Sequence, residues 1–295
     1  MPEGTLPAIK TLALIGAGLI GGSLALALRA RLPDLQVRVF DLVETHSRAA
    51  VQLGIATQAC GDPASAVRGA DLVVLAAPVG ALPALFATLR PHLADHAIVT
   101  DVGSTKANVL VAARQELGSA FSRFVPGHPI SGAERSGPSA AQPDLFRGRR
   151  VVLTPVVETD ASALARVTQV WESTGASVFL LEAAQHDAVF ASVSHLPHLL
   201  SFALVDELAA RPDAALLFSY AAGGFRDFTR IAASHPDMWR DIALDNRDAL
   251  LAELDAYLGA VQTLRDRVAA GDGPALHACF DRARVARLRW AEGGA

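Results

Sequence analysis

Thr11-Leu-Ala-Leu-Ile15, followed at once by Gly16-Ala-Gly-Leu-Ile-Gly21, is the stretch on which the fold turns. An apolar strand runs into a glycine turn, and the turn opens a helix-like segment, Ser23–Ala30. Gly16 permits a tight turn, Gly18 lets backbone approach a pyrophosphate, and Gly21 lets helix and strand pack closely. The helix N-terminus adds N–H groups and the positive end of its dipole. Leu19 and Ile20, between the last two glycines, join this candidate cofactor site. The next strand, Leu35–Phe40, closes on Asp41, where an acidic residue holds an adenosine ribose hydroxyl. A carboxylate there favours NAD and repels the 2′-phosphate of NADP. The first arginine after it, Arg48, stands inside the following helix.

Thr11–Leu28 is also an uncharged run behind Lys10, which superficially resembles a signal peptide. Glycines at such regular offsets are not what an apolar targeting segment needs, so a soluble cytoplasmic chain is expected. Further along, apolar strands alternate with helices. Leu72–Ala76 ends at Ala77-Pro78, and Pro78 is placed with the cofactor site. Ala97–Thr100, Phe124-Val125, Arg150–Thr154 and Ser177–Leu181 continue the series. Such alternation predicts an α/β Rossmann-type doubly wound parallel sheet, covered on both faces. From Glu182 onward strand signals vanish and long helical patterns take over: His186–Ala210, Asp213–Ala222, Met238–Val268 and Gly273–Ala291. The expected division is a dinucleotide-binding domain over 1–182 and an all-helical substrate and dimerisation domain over 183–295.

The 295 residues suit two domains of ordinary size, and 51% hydrophobic content supplies ample core. With 26 basic against 30 acidic residues, no charge excess asks for nucleic acid or an anionic membrane. Cys60 and Cys279 lie far apart, which encodes neither a disulfide framework nor a zinc site. Lys10 and Lys106 are the only lysines among the 26 basic residues. A lysine kept in so arginine-rich a chain hints at a geometry arginine cannot supply; a solvated first-turn residue is the alternative.

Four further stretches resemble the prephenate/arogenate dehydrogenase family of tyrosine biosynthesis. They are Asp101-Val-Gly-Ser-Thr-Lys106, Gly127-His-Pro-Ile-Ser-Gly-Ala-Glu134, Ser194-His-Leu-Pro-His198, and Gly223-Gly-Phe-Arg-Asp-Phe-Thr-Arg230 continuing to Met238-Trp-Arg-Asp241. The resemblance implies NAD-dependent oxidation of prephenate, or of its amino analogue arogenate, at the ring carbon bearing the hydroxyl. Hydride leaves to the nicotinamide, the ring carboxylate departs as carbon dioxide, and the ring becomes aromatic. It further implies His128 as the group accepting the hydroxyl proton, a task suited to a neutral imidazole. Ser104 is implied as a hydroxyl linking cofactor and substrate sites, and its position just past a strand also suits a helix N-cap. Arg230 resembles the family's carboxylate anchor, with Arg226 or Arg240 as alternatives. His195 and His198 line the substrate pocket by the same resemblance, His198 the nearer contact, and Gly223 belongs to the same set. Trp239 and Asp227 buttress the region. Glu134 links polar groups at the pocket mouth or is a solvated loop carboxylate. A His-x-x-His pair without an accompanying carboxylate or cysteine cluster does not specify a metal.

Departures from the family count as well. The helical region runs almost to Ala295, so neither a fused chorismate mutase nor an ACT regulatory domain is expected. Ala133 stands where relatives can carry a hydroxyl. A generic β-hydroxyacid dehydrogenase would want a lysine in its helical half, and none follows Lys106. A non-catalytic NAD-sensing protein is the more distant alternative. Apolar stripes such as Leu199-Leu200-Ala203-Leu204 predict a homodimer through the helical domain. Prephenate is favoured over arogenate, because no unpaired acidic residue other than Glu134 stands within the substrate motifs to meet an ammonium group.

Overall fold

The computed structural model describes residues 9–132 and 135–292. Six parallel strands form its larger sheet: β1 (Thr11–Ile15), β2 (Gln36–Phe40), β3 (Gln58–Ala59), β4 (Leu72–Leu75), β5 (Ile98–Asp101) and β6 (Phe124–Val125). Their spatial order is β3-β2-β1-β4-β5-β6. Helices α1 (Leu19–Arg31), α2 (Glu44–Gln52), α3 (Pro63–Val67), α4 (Leu82–Leu89) and α5 (Ala107–Glu116) make the crossovers. The order reverses between β1 and β4, and ligands of such sheets bind beyond the strand C-termini at that point. Both faces are covered. Leu12 and Leu14 enter one hydrophobic core while Ala13 and Ile15 enter the other. That two-sided burial explains why β1 reads as a continuous apolar run. The apolar stretch Thr11–Leu28 is therefore a buried strand and helix.

The strands after β6 do not extend this sheet. Pro126 has no N–H to continue a ladder. The chain instead forms a second, three-stranded sheet, in which β7 (Gly127–Pro129) runs antiparallel to β8 (Arg150–Leu153). After α6 (Ala161–Ser173), β9 (Ser177–Leu180) pairs parallel with β8. The single parallel sheet expected from the sequence is thus six parallel strands plus a small mixed sheet. β7 puts His128 opposite Val152.

The helical remainder is α7 (Ala183–Phe190), α8 (Leu196–Ala209), α9 (Ala214–Ser219), α10 (Gly223–Thr229), α11 (Pro236–Asp245), α12 (Arg247–Ala269) and α13 (Gly273–Glu292). Two interruptions differ from the sequence pattern, and both have causes. A π turn, Ala191–His195, separates α7 from α8. Pro197 follows it, and proline can neither bond to the carbonyl four residues back nor avoid crowding it. The predicted helix Met238–Val268 breaks at Asn246, whose side chain is spent on tertiary bonds described below. By length and composition Ala183–Ala209 could cross a membrane. It carries His186, Asp187, His195 and Ser201, however, all buried, and each bonded to groups on other elements. By its internal contacts the chain falls into two compact units, Met1–Arg247 and Asp248–Ala295. All the site residues discussed below belong to the first.

Candidate active site

The glycine loop after β1 pairs tight packing at two glycines with open space at the third. Gly16 has φ +100°, and a Cβ there would lie 2.3 Å from the Ala76 carbonyl oxygen. Only glycine fits. A Cβ on Gly21 would come within 2.6 Å of the Gly16 carbonyl oxygen and 2.8 Å of a Leu14 methyl, so α1 packs directly on β1. Gly18 differs, because nothing lies within 4 Å of its Cβ position, which leaves space for a phosphate beside the backbone. α1 starts at Leu19 with no side chain capping its first turn. Its first N–H groups, those of Leu19 and Ile20 included, suit an anion. Pro78 ends the turn after β4 and leads into a short 3₁₀ segment, Val79–Ala81. A Cβ on Gly80 would sit 3.1 Å from the Asp241 carboxylate, so this turn packs closely against α11.

Asp41 ends β2 and is clasped to the loop. Its Oδ2 accepts the Ala17 N–H at 2.8 Å and its Oδ1 accepts the Val43 N–H at 2.9 Å. His46 lies 3.4 Å away, while Arg48 is turned to Glu44 on the exposed face of α2. A negative group with no arginine paired to it among the described residues should discriminate against a 2′-phosphate. Turnover with NAD should therefore far exceed turnover with NADP, and Asp41→Ser should narrow the gap. Equal kcat/KM for the two cofactors in the parent protein would refute this.

Further along the same edge, β5 ends at Asp101, which is fully buried. Its carboxylate accepts the Gly103 N–H at 2.8 Å and the Gly127 N–H at 3.1 Å, and it pairs with the Lys106 ammonium. Lys106 has no exposed surface. The solvated alternative for this lysine is excluded. Ser104 sits half-buried in the turn between β5 and α5. It does not cap α5, contrary to its expected N-cap role. The first N–H groups, those of Lys106 and Ala107, are bonded instead by the two carboxylate oxygens of Asp187 from α7, both at 2.8 Å. Each donor thus has a carboxylate oxygen of its own.

His128 lies at this edge with its Nδ1 2.8 Å from Nε2 of His186. Nδ1 of His186 is in turn 2.8 Å from Asp187 Oδ1. Phe190 packs on both imidazoles, with ring centroids 4.7 Å and 4.5 Å away. Burial holds the His128 pKa well below its ordinary value, with the neighbouring His186, Lys106 and His195 acting in the same direction. Burial lowers His186 as well, against the opposing bond to Asp187. Both rings are neutral near pH 7.

The network continues to the residues expected near substrate. Asn246 Nδ2 donates to the Asp187 carbonyl at 2.9 Å and reaches His195 Nδ1 at 3.0 Å. His195 is 1% exposed, and burial lowers its pKa to about 4. His198 donates from Nδ1 to the Ser194 carbonyl at 2.9 Å, and its ring stacks on Trp239 at 3.6 Å and 19°. Burial also lowers its pKa. Trp239 is itself buried. Arg230 lies at the wall of a groove of about 540 Å³ that it lines with Ala221, Ala222, Phe225 and Arg226. Gly223 opens α10 beside that groove. Arg240 is bonded to Asp237 and Asp241 and so is engaged on α11. Glu134 and Ala133 lie outside the described residues. Among those described, no group of three or more His, Cys, Asp or Glu side chains is placed to hold a metal ion.

Sequence reasoning missed His186, Asp187 and Asn246. The adjacent His-Asp pair inside an apolar helix was the available signal, because such groups are rarely buried unless bonded.

Residues 24–180 match the family described as prephenate dehydrogenase, nucleotide-binding domain, and residues 182–282 match prephenate dehydrogenase, dimerization domain. The chain is 38% identical to a cyclohexadienyl dehydrogenase of Zymomonas mobilis, over 95% of each protein. It is 36% identical to a prephenate dehydrogenase of Bacillus subtilis, over 93% of this chain and 74% of that one. The crystal structure of prephenate dehydrogenase from Aquifex aeolicus, in complex with hydroxyphenyl propionate and NAD+, superposes with a TM-score of 0.89. It is 34% identical and covers 96% of this chain and 98% of that one.

Proposed function

The chain belongs to the prephenate dehydrogenase family, and from that premise we propose that it oxidises prephenate to 4-hydroxyphenylpyruvate with NAD, releasing carbon dioxide. The observation that carries this reading is His128, bonded to His186, at the same sheet edge as the open nucleotide loop. NAD, when bound, accepts the hydride from C4. His128 takes the C4 hydroxyl proton as that hydride leaves. The proton returns to the same oxygen when the ring carboxylate departs as carbon dioxide and the ring becomes aromatic. Phe190 keeps water from the imidazoles. Ser104, in the turn between the buried Asp101 and Lys106, bridges the cofactor and hydroxyl sides. His198, stacked on Trp239, faces the substrate side chain, with His195 behind it.

Arg230 holds a substrate carboxylate and does no proton chemistry. Arg230→Ala should raise KM by an amount on the order of 2–4 kcal/mol, roughly 30- to 1,000-fold, with kcat much less affected. A variant with parental KM would move the anchor to Arg226, which shares the groove.

The functional division is a nucleotide half over 1–182 and a substrate and dimerisation half over 183–295. The assembly is a cytoplasmic homodimer formed through the helical half. Its support is the family description of residues 182–282 and the apolar residues left exposed on the two last helices, among them Leu258, Phe280 and Trp290. Light scattering at micromolar concentration should give twice the chain mass. A monomeric mass would refute the assembly.

A second reading has its own observation, since the relative from Zymomonas mobilis is a cyclohexadienyl dehydrogenase. Arogenate differs from prephenate at the side chain, a keto group against an ammonium. NADH formation measured side by side separates the two, and prephenate should give the higher kcat/KM. Faster turnover of arogenate would establish the alternative.

A further inference from the structure

We propose that His186 and Asp187 are positioning residues that fix His128 in one tautomer, with the proton on Nδ1 and the Nε2 lone pair turned to the substrate hydroxyl. This rests on reading His128 as the proton acceptor.

Asp187 accepts two backbone N–H groups at the start of α5, from Lys106 and Ala107. Both its oxygens thus serve as acceptors, and a carboxylate has no proton to donate. Asn246 steadies the same residue through its carbonyl. The His186 Nδ1, 2.8 Å from Asp187 Oδ1, must therefore carry the proton of that bond. A neutral imidazole has one N–H, so His186 Nε2 is a lone pair. His128 Nδ1 lies 2.8 Å from it and must donate. The single proton of His128 is then spent, and its Nε2 is the remaining basic atom. Phe190, packed on both rings, shields the bond between them. A carboxylate that orients an imidazole and selects its tautomer serves the same purpose in hydrolytic triads. Here a second imidazole stands between carboxylate and base, and the carboxylate is clamped to the helix that follows the Asp101-to-Lys106 turn.

The test is a ¹⁵N-histidine spectrum of the full chain with turnover of three variants. In the parent protein His128 should show a protonated Nδ1 and an unprotonated Nε2. His186→Gln keeps an acceptor for His128 and a donor for Asp187, and should hold kcat within about fivefold. His186→Leu has neither, and Asp187→Asn offers one oxygen to three donors, so its amide can turn the His186 ring proton over. Both should lose 10- to 100-fold in kcat with KM little changed, within the roughly 10²–10⁴-fold that a positioned base supplies. A structural role alone would lower stability without shifting the tautomer or splitting Gln from Leu. An Nε2-protonated His128 in the parent would overturn the relay, as would parental kcat in His186→Leu. The parent spectrum decides the relay without any variant having to fold. Loss of turnover in His128→Asn tests the separate reading on which it rests.

Discussion

His128→Asn should lower kcat by about 10²-fold or more while leaving KM near the parental value, because the lost interaction strengthens mainly in the transition state. Asparagine is close in size and keeps a donor for the bond to His186, so the fold should survive. The pH dependence follows from the direction of the pKa shift. Only the neutral imidazole accepts a proton, so the rate falls as pH drops through the His128 pKa. Burial and the neighbouring His186, Lys106 and His195 hold that pKa well below 6.5. The acid limb of kcat/KM should accordingly lie below pH 6.5, with a plateau above it, and the asparagine variant should lack the limb. Steady-state kinetics from pH 4.5 to 9 would check both statements. Parental kcat with an unchanged profile would make His128 structural.

Lys106→Met should be the most destabilising single change among the residues around the site. The ammonium and the Asp101 carboxylate are both fully buried. Removing one member of such a pair leaves an uncompensated charge in the interior, at about 3–5 kcal/mol. For a chain of this size that corresponds to a fall of roughly 10 °C in Tm. Replacing both members with apolar residues should not restore stability. Asp101 also accepts the N–H groups of Gly103 and Gly127, and two buried donors would be left unbonded. Arginine should not substitute either. A Cβ on Gly103 would already sit 2.9 Å from Asp101 Oδ2 and 3.5 Å from Lys106 Nζ, so the larger guanidinium has little room. Thermal unfolding of the variants measures each effect. A Tm within 2 °C of the parent for Lys106→Met would contradict it.

That lysine shows what composition could reveal. In a chain whose other basic residues are nearly all arginine, Lys106 stands out by composition alone, but its partner does not. Asp101 was visible only as a residue of a motif. The nucleotide half was legible because its signals are local. A strand, three glycines at fixed offsets and an acid at the end of the next strand all follow from contacts within one βαβ unit. The small sheet was less so. β6 and β7 have two and three residues, too short to show a period, and their separation hangs on Pro126. Helix boundaries failed where tertiary bonds won. Asn246 breaks what reads as one helix because its amide is committed to Asp187 and His195. Ser104 was expected to cap α5 because it is adjacent in sequence, while the residue that does so is Asp187, 80 positions from Ala107. No local pattern predicts a cap from so far away. The same distance hid the link from His128 to His186, which joins residues 58 apart.

The most direct test of the account is a single-turnover experiment with the purified chain, NAD and prephenate. Equal amounts of NADH, carbon dioxide and 4-hydroxyphenylpyruvate should appear, one of each per active site. Tight binding of NAD with no NADH formed from either prephenate or arogenate would contradict it, and would make the chain a nucleotide-binding protein without turnover.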